Sequence, residues 1–200
     1  MENIITNVQY EPTLKLNPNK IIEPSIVWFT GMSGVGKSTI SAILKSELNR
    51  KNCRSSVLDG DMLRQGLNKN LGFSTADRSE SVRRAGEVAR LLVDTGTIVI
   101  GALISPFEDD RQKIKKLLED YRFIEIYLYA PMEILINRDP KGLYRKARAG
   151  LINNFTGISS DYEAPSSPDL AFDTSVTTAE MIAGEILSHL EYIPKRREIL

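Results

Sequence analysis

One octapeptide constrains this chain more than any other stretch: Gly31-Met32-Ser33-Gly34-Val35-Gly36-Lys37-Ser38. It follows the apolar run Ile26-Val27-Trp28-Phe29-Thr30 and opens a helical pattern from Lys37 to about Arg50. Buried strand, glycine-rich turn, helix start is the order a phosphate cradle requires. Gly31, Gly34 and Gly36 let the backbone wrap closely around phosphate oxygens, where a Cβ would clash or the dihedral would be forbidden. The loop N–H groups and the helix N-terminus then present oriented positive dipoles to the anion. Lys37 is placed to reach the β- and γ-phosphates and Ser38 to ligate Mg2+. Gly31 through Thr39 are therefore the candidate nucleotide-binding residues, and ATP with Mg2+ is the expected cofactor pair.

The remainder alternates strands and helices. Strands are expected at 56–59, 97–104, 123–129 and, more weakly, 170–173; helices at 62–69, 79–96, 109–120, 131–138, 141–149 and 178–191. Central strands apolar on both faces, alternating with helices, predict a three-layer α/β/α domain with a mostly parallel five-stranded sheet. Residues 1–23 are polar, and Pro12 and Pro18 lie among them with Pro24 just beyond; they read as an N-terminal arm on a domain spanning 24–200.

Composition narrows the partners. Lys+Arg and Asp+Glu are both 26, so there is no net basic surface to hold a nucleic-acid polymer. Cys53 is the only cysteine, which excludes an intramolecular disulfide, a zinc knuckle or a CxxC redox pair. Met1-Glu2-Asn3-Ile4-Ile5 lacks the basic start of a signal peptide, and no stretch approaches the roughly 20 apolar residues of a membrane span. A cytoplasmic protein without a membrane partner is expected. His189, the only histidine, is expected at the surface of the last helix.

The glycine loop alone leaves GTPases, ATPases and kinases open. No N-K-x-D base-reading sequence is present. The third strand ends in Ile104-Ser105-Pro106, without the usual acidic residue, whereas the second runs into Asp59-Gly60-Asp61. Small-molecule kinases of this size often carry the carboxylate there.

Seven further blocks then occur in order: Trp28-Phe29-Thr30-Gly31; Leu58-Asp59-Gly60-Asp61 with Arg64; Gly66-Leu67-Asn68; Leu71-Gly72-Phe73-Ser74; Asp77-Arg78 before a helix with Arg83-Arg84 and Gly86-Glu87-Val88-Ala89; Ile104-Ser105-Pro106; and Asp139-Pro140-Lys141-Gly142-Leu143-Tyr144 leading through Lys146-Ala147-Arg148-Ala149-Gly150 to Phe155-Thr156-Gly157-Ile158. In this order they resemble the adenylyl-sulfate (APS) kinases, over about Trp28 to Leu190. The resemblance implies transfer of the γ-phosphoryl of ATP to the ribose 3′-hydroxyl of APS, giving PAPS and ADP, and commonly a homodimer. It implies that Asp61 orients or deprotonates the acceptor hydroxyl and shares Mg2+ with Ser38, with Asp59 as the alternative. It assigns Arg64, Arg78 and Lys141 to the phosphosulfate and Phe73 and Phe155 to the adenine of APS, with Ile104 and Ser105 on the same wall. Residues 139–158 become a lid that excludes water. Ser105 is the position of a phosphoserine in accounts of the family, a step that direct in-line transfer does not need.

Three positions depart from the family pattern: Met62 and Ser81 stand where asparagine is usual, and Asn153 where the lid carries lysine. These changes bear on the acceptor, and a kinase of the same fold with another nucleotide-like acceptor is the first rival. Intact Lys37, Ser38, Asp61 and Arg64 argue against a non-catalytic nucleotide-binding module, and the lid sequence argues against an ATPase switch.

Overall fold

The computed structural model describes residues 22–192. The arm expected over 1–23 lies, up to residue 21, outside the described residues. Its last part does not: Ile22 is buried and packs with the core.

In chain order the elements are β1 (Ser25–Thr30), α1 (Lys37–Arg50), β2 (Ser55–Asp59), α2 (Gly60–Gln65), α3 (Thr75–Asp94), β3 (Ile98–Ala102), α4 (Glu108–Leu117), β4 (Arg122–Tyr129), α5 (Met132–Arg138), α6 (Leu143–Arg148), β5 (Leu170–Asp173) and α7 (Ala179–Glu191). The sheet order is β2-β3-β1-β4-β5, and every pairing is parallel, so the sheet is more uniform than the mostly parallel one expected.

All six residues of β1 are buried, because β1 is central and covered on both faces. The period-2 alternation of a strand divides its side chains. Val27 and Phe29 join Leu44 and Leu48 of α1 and Ile182, Ile186 and Leu190 of α7. Ile26 and Trp28 face the other way, onto Val82, Ala85, Ala89 and Val93 of α3 and Ile114 of α4. Each such fully buried side chain is worth about 1.5–3 kcal/mol against exposure. Gly101 on β3 makes room for the indole, since a Cβ there would sit 2.7 Å from Trp28 Cε3.

Three boundaries differ from expectation. Helix α3 begins at Thr75 and not 79, because Ser74 caps it: Ser74 Oγ accepts from Asp77 N at 3.1 Å and donates to Asp77 Oδ2 at 2.7 Å. Asp77 and Arg78 therefore lie inside its first turn. Helix α2 begins at Gly60, capped by Asp59, and ends before Gly66. Strand β3 stops at Ala102, where the chain turns toward Ser105, held at φ 43°. His189 is only partly exposed, and its carbonyl accepts from Arg122 Nη2 at 2.6 Å.

Candidate active site

Parallel strands collect the loops that follow them at one end of the sheet, where open α/β folds bind ligands. Here the glycine loop after β1, the Asp59–Asp61 turn after β2 and the Ile104–Pro106 turn after β3 converge. With α3 and the 139–156 segment they enclose a cleft of about 680 Å3. Asp61 and all eight residues expected at the acceptor line it: Asp59, Arg64, Phe73, Arg78, Ile104, Ser105, Lys141 and Phe155.

The loop itself is shaped by backbone constraint. Gly31 has φ 144°, and a Cβ there would lie 2.2 Å from Leu128 O, so only glycine fits. Ser33, Gly34, Gly36, Lys37 and Ser38 form the wall of the cleft. Val35 is fully buried beneath the loop, Met32 is partly buried against the core, and Thr39 is exposed at the next helical position. Tyr144 of α6 steadies the turn, donating from its hydroxyl to Ser33 O at 2.9 Å.

Lys37 folds back across this turn, its Nζ donating to Gly31 O at 2.7 Å and Met32 O at 2.8 Å. Burial pushes its pKa down to about 7; Asp59 and Asp61 oppose the shift and Lys141 adds to it. Ser38 Oγ donates to Asp59 Oδ2 at 2.6 Å, while Asp59 Oδ1 accepts from Asp61 N at 2.9 Å. Asp59 is thus occupied as helix cap and partner of Ser38. Asp61, largely exposed to the cleft, instead meets Lys141 Nζ across it.

The far wall is cationic and aromatic. The Phe73 ring lies 4.2 Å from Arg64 Cζ and 5.6 Å from Arg78 Cζ, within cation–π range of both. Arg64 Nη1 donates to Gly72 O at 2.9 Å, and Arg78 Nε to Phe73 O at 3.1 Å. Arg78 Nη2 reaches Asn154 O at 2.5 Å, joining α3 to the 139–158 segment. Burial lowers both guanidinium pKa values, with Arg64 adding to the effect on Arg78, yet a guanidinium stays charged in a protein. Phe155 is buried and meets Tyr144 edge-on, ring centroids 4.9 Å apart. Arg83 and Arg84 pair with Glu80 instead, outside the cleft wall.

Ser105 is 1% exposed, and its Oγ accepts from Trp28 Nε1 at 3.1 Å. Its carbonyl accepts from Arg111 Nη1 at 2.7 Å and Thr30 Oγ1 at 3.3 Å. The left-handed φ costs a serine on the order of 1–3 kcal/mol, which these contacts offset. Sequence reasoning missed Arg111 in this support and gave no such role to Thr30, whose Oγ1 also shares a hydrogen bond with the Tyr162 hydroxyl at 2.9 Å. Of the three departures from the family pattern, Ser81 lies on the cleft wall, accepting from Asn68 Nδ2 at 2.8 Å. Met62 is 66% exposed and Asn153 is also exposed, and neither lines this cleft.

A parallel sheet with a glycine phosphate loop, paired carboxylates and a cationic wall across one cleft defines the P-loop phosphotransferases. A family model described as adenylylsulphate kinase matches residues 23–173, and the chain belongs to that family. It is similar to an adenylyl-sulfate kinase of Pseudomonas entomophila, 53% identical over 84% of this chain and 80% of the relative. It is also similar to one of Staphylococcus epidermidis, 49% identical over 96% of this chain and 98% of the relative. Among solved structures, the Mycobacterium tuberculosis APS kinase CysC in complex with AMPPNP and APS superposes with a TM-score of 0.82 at 43% identity, covering 86% of this chain and 99% of that one.

Proposed function

We propose that this chain transfers the γ-phosphoryl group of ATP to the 3′-hydroxyl of adenosine 5′-phosphosulfate, giving 3′-phosphoadenosine 5′-phosphosulfate and ADP. One observation carries the reading. Phosphate loop, Asp61 and the Arg64–Phe73–Arg78–Lys141 set come from segments far apart in sequence and line a single cleft. The similar M. tuberculosis enzyme holds AMPPNP and APS together, which supports both substrates here.

Phosphoryl transfer needs positioning and charge neutralisation more than covalent help. In this reading the N–H groups of Gly31–Thr39 cradle the phosphates and Lys37 bridges β and γ. Arg64, Arg78 and Lys141 take the phosphosulfate, with Phe73 and Phe155 against the adenine of the acceptor and Ile104 and Ser105 behind it. Asp61 orients the 3′-hydroxyl and accepts its proton. Its ion pair with Lys141 is then exchanged for contacts to substrate. The oxygen donors of Ser38 and Asp61, with Asp59 hydrogen-bonded to Ser38, suit magnesium, a hard cation that takes one or two protein oxygens beside substrate phosphates. When bound, it neutralises charge on the β- and γ-phosphate oxygens. Residues 139–158 act as the lid that keeps water from the γ-phosphate.

The resemblance to the family further supports a homodimer, which sedimentation of the purified chain would check; among the described residues no helix is long and apolar enough to cross a membrane. The site assignment is tested by the product. ATP and APS should yield ADP and a nucleotide phosphorylated at the ribose 3′ position, and 3′-deoxy-APS should yield none. Phosphate appearing elsewhere on the acceptor contradicts the assignment.

A further inference from the structure

Arg111 lies one turn into α4, among acidic neighbours that make it read as a surface charge, yet it is 2% exposed. Its guanidinium meets four groups, three by hydrogen bonds from Nη1 and Nη2 and the fourth only as an ion pair at Nε. Nη1 donates to Ser105 O at 2.7 Å, and Nη2 donates to Glu163 O at 2.8 Å and meets Glu108. Nε lies 3.1 Å from Oε1 of Glu125, itself buried on β4.

Those two carbonyls belong to different parts of the site. Ser105 is the turn on the acceptor wall. Glu163 stands just beyond residues 139–158, where the lid rejoins the domain. Around Arg111 the two segments are stitched directly: Glu163 N donates to Pro106 O at 2.8 Å, and Glu108 N donates to Glu163 Oε2 at 2.6 Å. Tyr162 adds a bond between its hydroxyl and Thr30 Oγ1 at 2.9 Å. Simple charge balance for Glu125 does not require this arrangement, since a buried ion pair stabilises little against apolar residues of the same volume. A planar fork that serves the two carbonyls from separate nitrogens, Nη1 for Ser105 O and Nη2 for Glu163 O, is what arginine offers, whereas lysine has a single nitrogen at the end of a shorter reach.

We infer that Arg111 is a positioning residue for the acceptor: it holds the Ser105 turn and the downstream root of the lid at a fixed spacing. The lid then closes from its Asp139 side against a stationary wall, so that the acceptor hydroxyl meets the γ-phosphate at the right place. This rests on the functional reading above.

The test uses two variants of the full chain beside the wild type. Arg111→Lys keeps a cation beside Glu125 and Glu108 but cannot span both carbonyls. The double variant R111M/E125L removes the buried pair as a unit, which protects the fold. Both should unfold cooperatively and keep the KM for ATP within about twofold, while kcat/KM for APS falls roughly 10- to 100-fold, the range for misplacement of about 1 Å. Folded variants with unchanged APS constants would make Arg111 purely structural and overturn the inference. So would failure of both variants to fold, or a rise in the KM for ATP as large as that for APS. A wild type that does not phosphorylate APS is a different failure, that of the functional reading itself.

Discussion

Replacing Ser105 by alanine removes a single oxygen from the acceptor wall, and the structure gives its weight. That oxygen is the acceptor for the indole N–H of Trp28, a side chain with no exposed surface. An indole nitrogen only donates, so Ser105→Ala leaves a buried donor unpaired, at a cost of about 1–3 kcal/mol. For a domain of this size each kcal/mol moves Tm by roughly 2–4 °C, so a drop of about 2–12 °C is expected. Alanine suffers the same left-handed φ as serine and keeps the carbonyl held by Arg111, so the turn should stay in place. In-line transfer to the 3′-hydroxyl uses no serine oxygen, and kcat should remain within about tenfold of wild type. Calorimetry and steady-state kinetics read the two effects separately. In a Trp28→Phe background the stability cost of the second change should shrink, because no indole N–H is left to strand. Two results would refute the reasoning: an unchanged Tm, or loss of transfer together with a phosphoserine at 105 that chases into product.

Other perturbations test the remaining groups. Lys37→Met should lower transfer by at least ~10²-fold, the loss of one preorganised cationic donor. The free-state pKa of about 7 adds a signature: triphosphate raises it, so above pH 7 ATP binding should take up a proton at Lys37. Below that pH the ammonium is already charged and uptake should vanish. Calorimetry in buffers of different ionisation enthalpy reads this difference, and the methionine variant should lose it at every pH. Asp61→Asn should lower kcat by at least ~10²-fold with little change in ATP binding. A collapse of ATP binding at unchanged kcat would make Asp61 a metal or structural residue. Ser81→Asn should lower the APS KM, because Ser81 lines the cleft, whereas Met62→Asn should do little from its exposed site. Equal effects at both positions would contradict that placement.

The layering and the strand sequence were legible because β1, β3 and β4 are apolar runs of strand length between helical patterns, and even the four-residue β5 matches its expected 170–173. Glycine spacing located the phosphate loop without help. The start of α3 was missed because Asp77-Arg78 read as loop chemistry, while the Ser74 hydroxyl had already begun the helix. The division of labour between Asp59 and Asp61 was not legible, since both fit a strand-end carboxylate. Only the folded turn gives Asp59 to Ser38 and turns Asp61 toward Lys141. Trp28 and Ser105 lie 77 residues apart, and no local pattern joins them. Arg111 was hidden by its own neighbours, because an arginine among Glu108, Asp109 and Asp110 has the look of a solvated helix face. What stayed out of reach is therefore the set of side-chain hydrogen bonds and ion pairs that join residues distant in sequence.

The central claim is that this cleft is built for APS, and relative kcat/KM across nucleotide acceptors tests it most directly. Transfer of labelled γ-phosphoryl from saturating Mg·ATP into nucleotide product is measured for APS, AMP, ADP and adenosine. The adenine is common to all, so differences report the phosphosulfate contacts proposed above for Arg64, Arg78 and Lys141, which line the cleft. A hydrogen bond to a charged group contributes about 1.5–3 kcal/mol, so loss of even two of the three cationic contacts should put adenosine behind by roughly 10²- to 10⁴-fold. The account predicts APS as the best acceptor, with adenosine behind it by at least that lower bound. Another acceptor with clearly higher kcat/KM than APS would leave the fold and the ATP chemistry standing and contradict the claim about what this cleft binds.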